Sequence, residues 1–397
     1  MESIQFYLLD ITYKIVANKP HIYLFGRTIN NKQVCVVDDG FLPYFYVLLK
    51  NDDDAEKFAE KIEKIKIEEG KDIAEVIKTE VVEKNYLGRP RKAIRVYTNA
   101  PSCVPLVRKV IKDWIVVEST NEYDIPFVRR YLLDKRITPL TILEARGDFI
   151  SARSKVPVFS AKEITQFSTD SIKKPRILAF DIETYNPLGR RFLADKHPII
   201  MLAFYADDFK KVITWKRFET DESSIEFVDG EADLIMRFKE VIEHYKPDII
   251  TGYFSDGFDF PYIIERAKKY GINLDVGLDY SVIKSKKGRT RIIRVAGIVH
   301  IDVFKFVNKI LGRALETDNY TLSAVSTELL DDTKEDVNLD RMAEVWDKNP
   351  DGLEEYCRYN LKDAKLTHDL CIKIFPNIEE LVKICLLYTS PSPRDLS

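Results

Sequence analysis

At 397 residues the chain is too long for one compact core, and a norm of roughly 100–200 residues per domain predicts two or three domains. Its 45% hydrophobic and 31% charged residues suit an ordinary soluble globular protein. Its net charge of −3 excludes a global electrostatic footprint for nucleic acid, so any DNA contact must come from local basic patches.

The N-terminus, Met1-Glu2-Ser3-Ile4-Gln5, lacks the basic and apolar regions of a secretion signal, and no apolar run approaches a membrane span. Residues 4–50 predict short strands at 6–10, 21–25, 34–37 and 44–49, separated by turn residues such as Asn30-Asn31 and Asp38-Asp39-Gly40. A charged helix is expected over 53–69, strands over 75–82 and 93–98, a helix over 104–112 and a strand over 114–118. The β-rich unit closes near Tyr131-Leu132-Leu133, and the polar segment 151–174 reads as a linker or insertion. From Arg176 the pattern changes. Strands over 176–180, 199–205, 212–215, 249–253 and 298–303 alternate with helices over 232–244, 261–270 and 353–374, which predicts an α/β sheet covered by helices. Five scattered cysteines (Cys35, Cys103, Cys357, Cys371, Cys385) form no C-x-x-C pair and the five histidines form no H-E-x-x-H, against a disulfide framework or zinc site and for a reducing, cytoplasmic setting. Residues 386–397 have no periodicity and read as an artefactual appended tail, or alternatively a natural disordered one.

Three short segments carry chemistry. In Phe180-Asp181-Ile182-Glu183-Thr184, strand alternation projects Asp181 and Glu183 together while Ile182 enters the opposite layer. Two such carboxylates repel and lose solvation, and a divalent cation removes both penalties. Alone, D-x-E fits a solvated strand end as well. In Tyr253-Phe254-Ser255-Asp256-Gly257-Phe258-Asp259, Asp259 opens a helix, where an acid also complements the helix dipole. In Tyr359-Asn360-Leu361-Lys362-Asp363, Tyr359 and Asp363 share one helix face, which a surface pair would do too. Taken together, Asp181, Glu183, Asp259 and Asp363 offer oxygen ligands for two Mg²⁺ ions, with Mn²⁺ able to substitute, in the two-metal arrangement that cleaves phosphodiesters. Tyr359 would orient the water, since its phenol titrates near pH 10 and makes a poor base at neutral pH.

With these motifs, the phrases Phe41-Leu42-Pro43-Tyr44-Phe45-Tyr46, Tyr86-Leu87-Gly88-Arg89-Pro90, Glu122-Tyr123-Asp124-Ile125-Pro126-Phe127, Lys211-Val212-Ile213-Thr214-Trp215-Lys216 and Asn319-Tyr320-Thr321-Leu322 make the chain resemble archaeal family B DNA polymerases over nearly all of residues 1–385. The resemblance implies exonuclease acids at Asp181, Glu183, Asp259 and Asp363 and a catalytic tyrosine at Tyr359. It also implies a template-uracil pocket at Tyr13, Pro43, Ala93, Pro126, Phe127 and Arg130, where Ala93 replaces a larger apolar residue. Phe254 stands where the family usually has Asn. Segments 149–173 and 284–294 look like insertions, and the second (Lys284, Lys286, Lys287, Arg289, Arg291, Arg294) is basic enough to touch phosphate, or is simply a solvated hairpin.

The expected fold is α/β: a ribonuclease-H-like exonuclease domain with a mixed sheet over 142–374, plus a β-rich α+β N-terminal domain over 1–141 to which 375–385 returns. The expected function is Mg²⁺-dependent 3′→5′ proofreading in DNA replication, acting on single-stranded DNA and the primer 3′ end, with the template strand held by the N-terminal domain. No membrane is involved. A sliding clamp suits a full-length parent but is not assignable from these residues. The resemblance stops near Cys385, before any palm-domain aspartates, so a fragment without polymerase chemistry is expected. Two alternatives stay open: a stand-alone 3′→5′ exonuclease, which the N-terminal matches oppose, and a non-enzymatic nucleic-acid-binding module, which the retained acids oppose.

Overall fold

Alternating apolar residues make the first forty residues a meander. The computed structural model describes residues 2–385 apart from 70–71, 173, 188–192, 289 and 333–336. It gives β1 (Glu2–Val16), β2 (Lys19–Thr28), β3 (Gln33–Asp38) and β4 (Tyr44–Leu49). Then come α1 (Ala55–Glu63), β5 (Lys66–Glu69), β6 (Asp72–Tyr86), β7 (Arg89–Thr98), α2 (Cys103–Ile111), β8 (Val117–Asn121), α3 (Phe127–Lys135), β9 (Thr141–Ile150) and β10 (Val158–Ser171). The second half runs β11 (Ile177–Thr184), β12 (Ile199–Ala206), β13 (Phe209–Thr214), β14 (Ile225–Phe227), α4 (Glu231–Tyr245), β15 (Ile249–Gly252), α5 (Asp259–Lys269), β16 (Lys284–Lys287), β17 (Arg291–Arg294) and β18 (Val299–Asp302). It closes with α6 (Val303–Phe306), α7 (Leu322–Leu330), α8 (Met342–Lys348) and α9 (Leu353–Cys385).

The strands form a closed barrel, β1-β2-β3-β10-β9, filled by Phe6, Leu24, Val36, Leu143 and Phe159 and covered by Phe127 and Tyr131 of α3. Gly147 permits its tightest crossing, since a Cβ there would lie 1.9 Å from the Ser160 carbonyl oxygen. A five-stranded sheet, β5-β6-β7-β4-β8, packs one face on α1 and α2 through Phe45, Val47, Ile62, Ile94 and Val107.

Two expectations are corrected here. Segment 151–174 is largely β10, paired with β9 and β3, so it is not a linker; its Ser, Thr and Lys residues occupy the solvent side of a strand whose Phe159 and Ile164 are buried. β9 and β10 close the N-terminal barrel, and the six-stranded sheet begins with Ile177. The helix expected over 53–69 ends at Glu63, because Lys66–Glu69 finds a ladder partner in β6. The tail 386–397 lies outside the described residues.

The second half is a six-stranded mixed sheet, β14-β13-β12-β11-β15-β18, in which β11 runs antiparallel to β12 and parallel to β15. Both faces are covered, so β12 reads as a continuous apolar run. Its Leu202 and Phe204 join the layer of α4 and α5, while Ile200, Met201 and Ala203 join the layer of α9. The C-terminal turns of α9 (Phe375, Ile378, Leu381) pack in a cluster with Leu9 and Leu140 of the barrel strands and their approach. No helix among the described residues is long and apolar enough to cross a membrane.

Candidate active site

Strand β11 is the centre of the site. Leu178, Phe180 and Ile182 point into the α4/α5 layer, where the Phe180 ring meets Phe238 at 5.4 Å and Phe260 at 4.8 Å. The alternate positions, Asp181 and Glu183, therefore face α9. On α9, Asn360, Asp363 and Thr367 follow helical spacing and are all buried against that face. One carboxylate oxygen from each of Asp181, Glu183 and Asp363 lies within 4.8 Å of the others. Asn360 Nδ2 donates to Asp181 Oδ2 at 2.7 Å, and Asn360 Oδ1 is buried with no partner. Tyr359 is buried one turn before Asp363.

Asp259, the first residue of α5, comes from the other side of the sheet's end. Its Oδ1 accepts from the Ile182 N–H at 3.3 Å, the backbone between Asp181 and Glu183, although it stands outside the three-acid group. Burial pushes its carboxyl up to about 7, with the Asp302 charge adding to the rise. Acids crowded and desolvated in this way suit a divalent cation with oxygen ligands. The donor set of three carboxylates, an adjacent fourth and an orphaned amide oxygen fits one.

The loop before Asp259 hangs on residues that sequence reasoning missed. Asp302, at the end of β18, accepts from the N–H groups of Phe254 (3.1 Å), Asp256 (3.0 Å) and Lys305 (3.1 Å), and burial raises its carboxyl to about 6. Asp256 accepts from Lys305 Nζ at 2.6 Å and from the Ile293 N–H at 2.7 Å, and so ties the loop to the basic hairpin β16–β17. His300 Nε2 lies 2.9 Å from Ser255 Oγ, and burial drives its pKa down to about 4. Asp302 ends β18 and caps the short helix that follows, and an acid at a strand-to-helix junction is a signal that could have found it. The hairpin's Lys284–Lys287 strand is exposed throughout, and Arg289 lies outside the described residues.

In the N-terminal half, Pro43, Pro126, Phe127 and Arg130 line one cavity of about 230 Å³ with Tyr44 and Tyr123. Tyr13 lines a neighbouring cleft that shares Pro126 and Phe127, and its ring meets Phe127 edge-on at 5.2 Å. Ala93 lines neither space but is buried on β7 among Tyr44, Tyr46 and Leu48, because it pairs with Leu48 inside the sheet. Arg130 is buried and pairs with Glu122 at 2.5 Å, while donating to the Glu122 carbonyl at 2.9 Å.

A mixed sheet covered by helices, with carboxylates from β11, α5 and α9 gathered at its centre, is the arrangement of a ribonuclease-H-like domain. Residues 118–325 match the model of DNA polymerase family B, exonuclease domain. The chain is 32% identical to a DNA polymerase of Pyrococcus horikoshii over 378 residues, covering 95% of this chain and 27% of that protein. It is 33% identical to a DNA polymerase of Pyrococcus glycovorans over the same length, covering 43% of that protein. The solved family B DNA polymerase from the hyperthermophilic archaeon Pyrobaculum calidifontis superposes with a TM-score of 0.80 at 26% identity, covering 96% of this chain and 47% of that one. The chain thus spans less than half the length of these relatives. It belongs to DNA polymerase family B and carries that family's exonuclease domain, which is metal-dependent.

Proposed function

We propose that the chain removes nucleotides from the 3′ end of DNA, as the proofreading part of a DNA-directed DNA polymerase. The observation that carries this reading is the convergence of Asp181, Glu183 and Asp363 from a strand and a distant helix onto one point, with Asp259 beside them. Asp181, Glu183, Asp363 and Asp259 would hold two Mg²⁺ ions, or Mn²⁺ in their place. Bound there, the metal supplies Lewis-acid stabilisation of the phosphodiester and lowers the pKa of water. Asn360 fixes the Asp181 carboxylate by its 2.7 Å hydrogen bond. Tyr359, one turn before Asp363, orients the attacking water through its hydroxyl. Lys284, Lys286, Lys287, Arg291 and Arg294 of the hairpin would meet the DNA backbone.

The substrate would be a single-stranded primer 3′ end, with the template strand passing the N-terminal half. The shared lining of one cavity by Pro43, Pro126 and Phe127 favours a template base, uracil above all, as its occupant. The direct test of the main reading is a 5′-labelled single strand incubated with Mg²⁺. Stepwise shortening from the 3′ end that stops with chelator is expected; immediate release of the 5′ label as a mononucleotide, or no shortening, would contradict it.

A further inference from the structure

Asn360 stands on α9 three residues before Asp363 and is fully buried. Its two amide atoms are treated differently by the fold. Nδ2 donates to Asp181 Oδ2 at 2.7 Å, whereas Oδ1 is buried with no partner in the protein. A carboxylate only accepts, so the nitrogen must face Asp181 and the amide plane then fixes where the oxygen lies. Amide oxygen and nitrogen are roughly 2.2 Å apart, which puts Oδ1 no more than about 5 Å from Asp181 Oδ2. Buried polar atoms are nearly always paired, so this one calls for a donor that the fold does not supply. The clustered acids Asp181, Glu183 and Asp363 cannot be that donor when ionised.

We propose that Asn360 Oδ1 accepts a hydrogen bond from a water in the hydration shell of the ion held by Asp181, which makes Asn360 a positioning residue that favours a hydrated, octahedral ion; this rests on the metal-site reading above. Mg²⁺ demands octahedral oxygen coordination and gives up its water reluctantly, so on a few carboxylates it keeps water in the remaining positions. Water on a cation is acidified, and so a strengthened donor. Zn²⁺ is satisfied by four ligands, a number close to what the acids alone provide, and gains little from an acceptor placed for water. The nitrogen of Asn360 thus serves any ion through Asp181, and the oxygen serves only one that keeps its water.

The test is calorimetric binding of Mn²⁺ and of Zn²⁺, without DNA, to the protein and to Asn360→Ala. Mn²⁺ stands in for Mg²⁺ because it takes the same octahedral oxygen coordination. Loss of a residue that supports a metal ligand weakens binding by about 10–100-fold, and Mn²⁺ should show a loss of that size. Zn²⁺ should weaken at least about 5-fold less, since only the hydrated ion loses the second hydrogen bond. Asn360→Ser, whose short hydroxyl turns back to the helix's own carbonyls, should behave alike and decides the matter if the Ala variant does not fold. Equal weakening of both ions would leave Asn360 a support for Asp181 alone and overturn the role of its oxygen, as would undiminished Mn²⁺ binding. Shortening of DNA with Mg²⁺ is scored separately: its absence sinks the exonuclease reading, while the ratio of the two ions still decides this one.

Discussion

Single side chains around the second motif trade solvation against hydrogen bonding, and His300 shows it most clearly. Its imidazole is buried beside Ser255, with Asp256 and Lys305 near it, and desolvation lowers its pKa from 6.5 to about 4. Between these values the unfolded chain takes up a proton that the folded chain refuses. Stability from this group is therefore complete above about pH 6.5 and falls as pH drops toward 4. Buried Asp10, Asp259 and Asp302 carry raised values and act in the opposite direction, so the comparison must be with His300→Gln. From pH 7 to pH 5, the protein should lose about 2 kcal/mol relative to that variant in urea unfolding. Parallel pH profiles would mean His300 is accessible to protons. At this scale the acids were legible because strand and helix periods place Asp181 with Glu183 and put Asp363 on a buried face. Asn360 and His300 were not, since each acquires its role from partners remote in sequence.

Elements are pinned by buried charge as well as by apolar packing. Arg266 of α5 and Glu231 at the start of α4 form a bidentate pair whose side chains are 2% and 3% exposed, and Glu231 also accepts from the Ile199 N–H at 2.8 Å. The pair thus joins α4, α5 and β12 around the helix that begins with Asp259. Removing one partner leaves an uncompensated buried charge, so Arg266→Met should cost about 3–5 kcal/mol in chemical denaturation. A loss under about 1 kcal/mol would show that water reaches the pair. In the N-terminal half, a single uracil replacing thymine in a single strand should tighten binding by about 10–200-fold if the cavity excludes the extra methyl. Pro126→Lys should erase the preference; equal affinity for both strands would assign Pro43, Pro126 and Phe127 to packing alone. Long apolar strands and amphipathic helices were readable from the chain, whereas β10 was not. Its polar face hid the alternation, and its pairing with β3 and β9 is set by barrel closure, a long-range matter.

Across the whole molecule the barrel and the catalytic sheet are joined by more than contact. Arg27 of β2 pairs with buried Asp248 at 2.7 Å, donates to the Lys246 carbonyl at 2.9 Å, and Asp248 also accepts from the Arg176 N–H at the start of the catalytic half. Gly297 donates to Asp10 at 2.9 Å, and Leu9 shares a core with the end of α9. A site assembled from β11, the α5 start and α9 is therefore held by a frame that includes the N-terminal strands. The central claim is that Asp181, Glu183 and Asp363 form one metal-dependent hydrolytic centre. It is tested most directly by single-turnover shortening of a 5′-labelled strand by the protein and by Asp181→Ala with Glu183→Ala, with thermal unfolding measured alongside. The account predicts Mg²⁺-dependent loss of 3′ nucleotides by the protein and none by the double variant, which should unfold at a similar or higher temperature without metal because two repelling carboxylates are gone. Undiminished shortening by a folded double variant would contradict it.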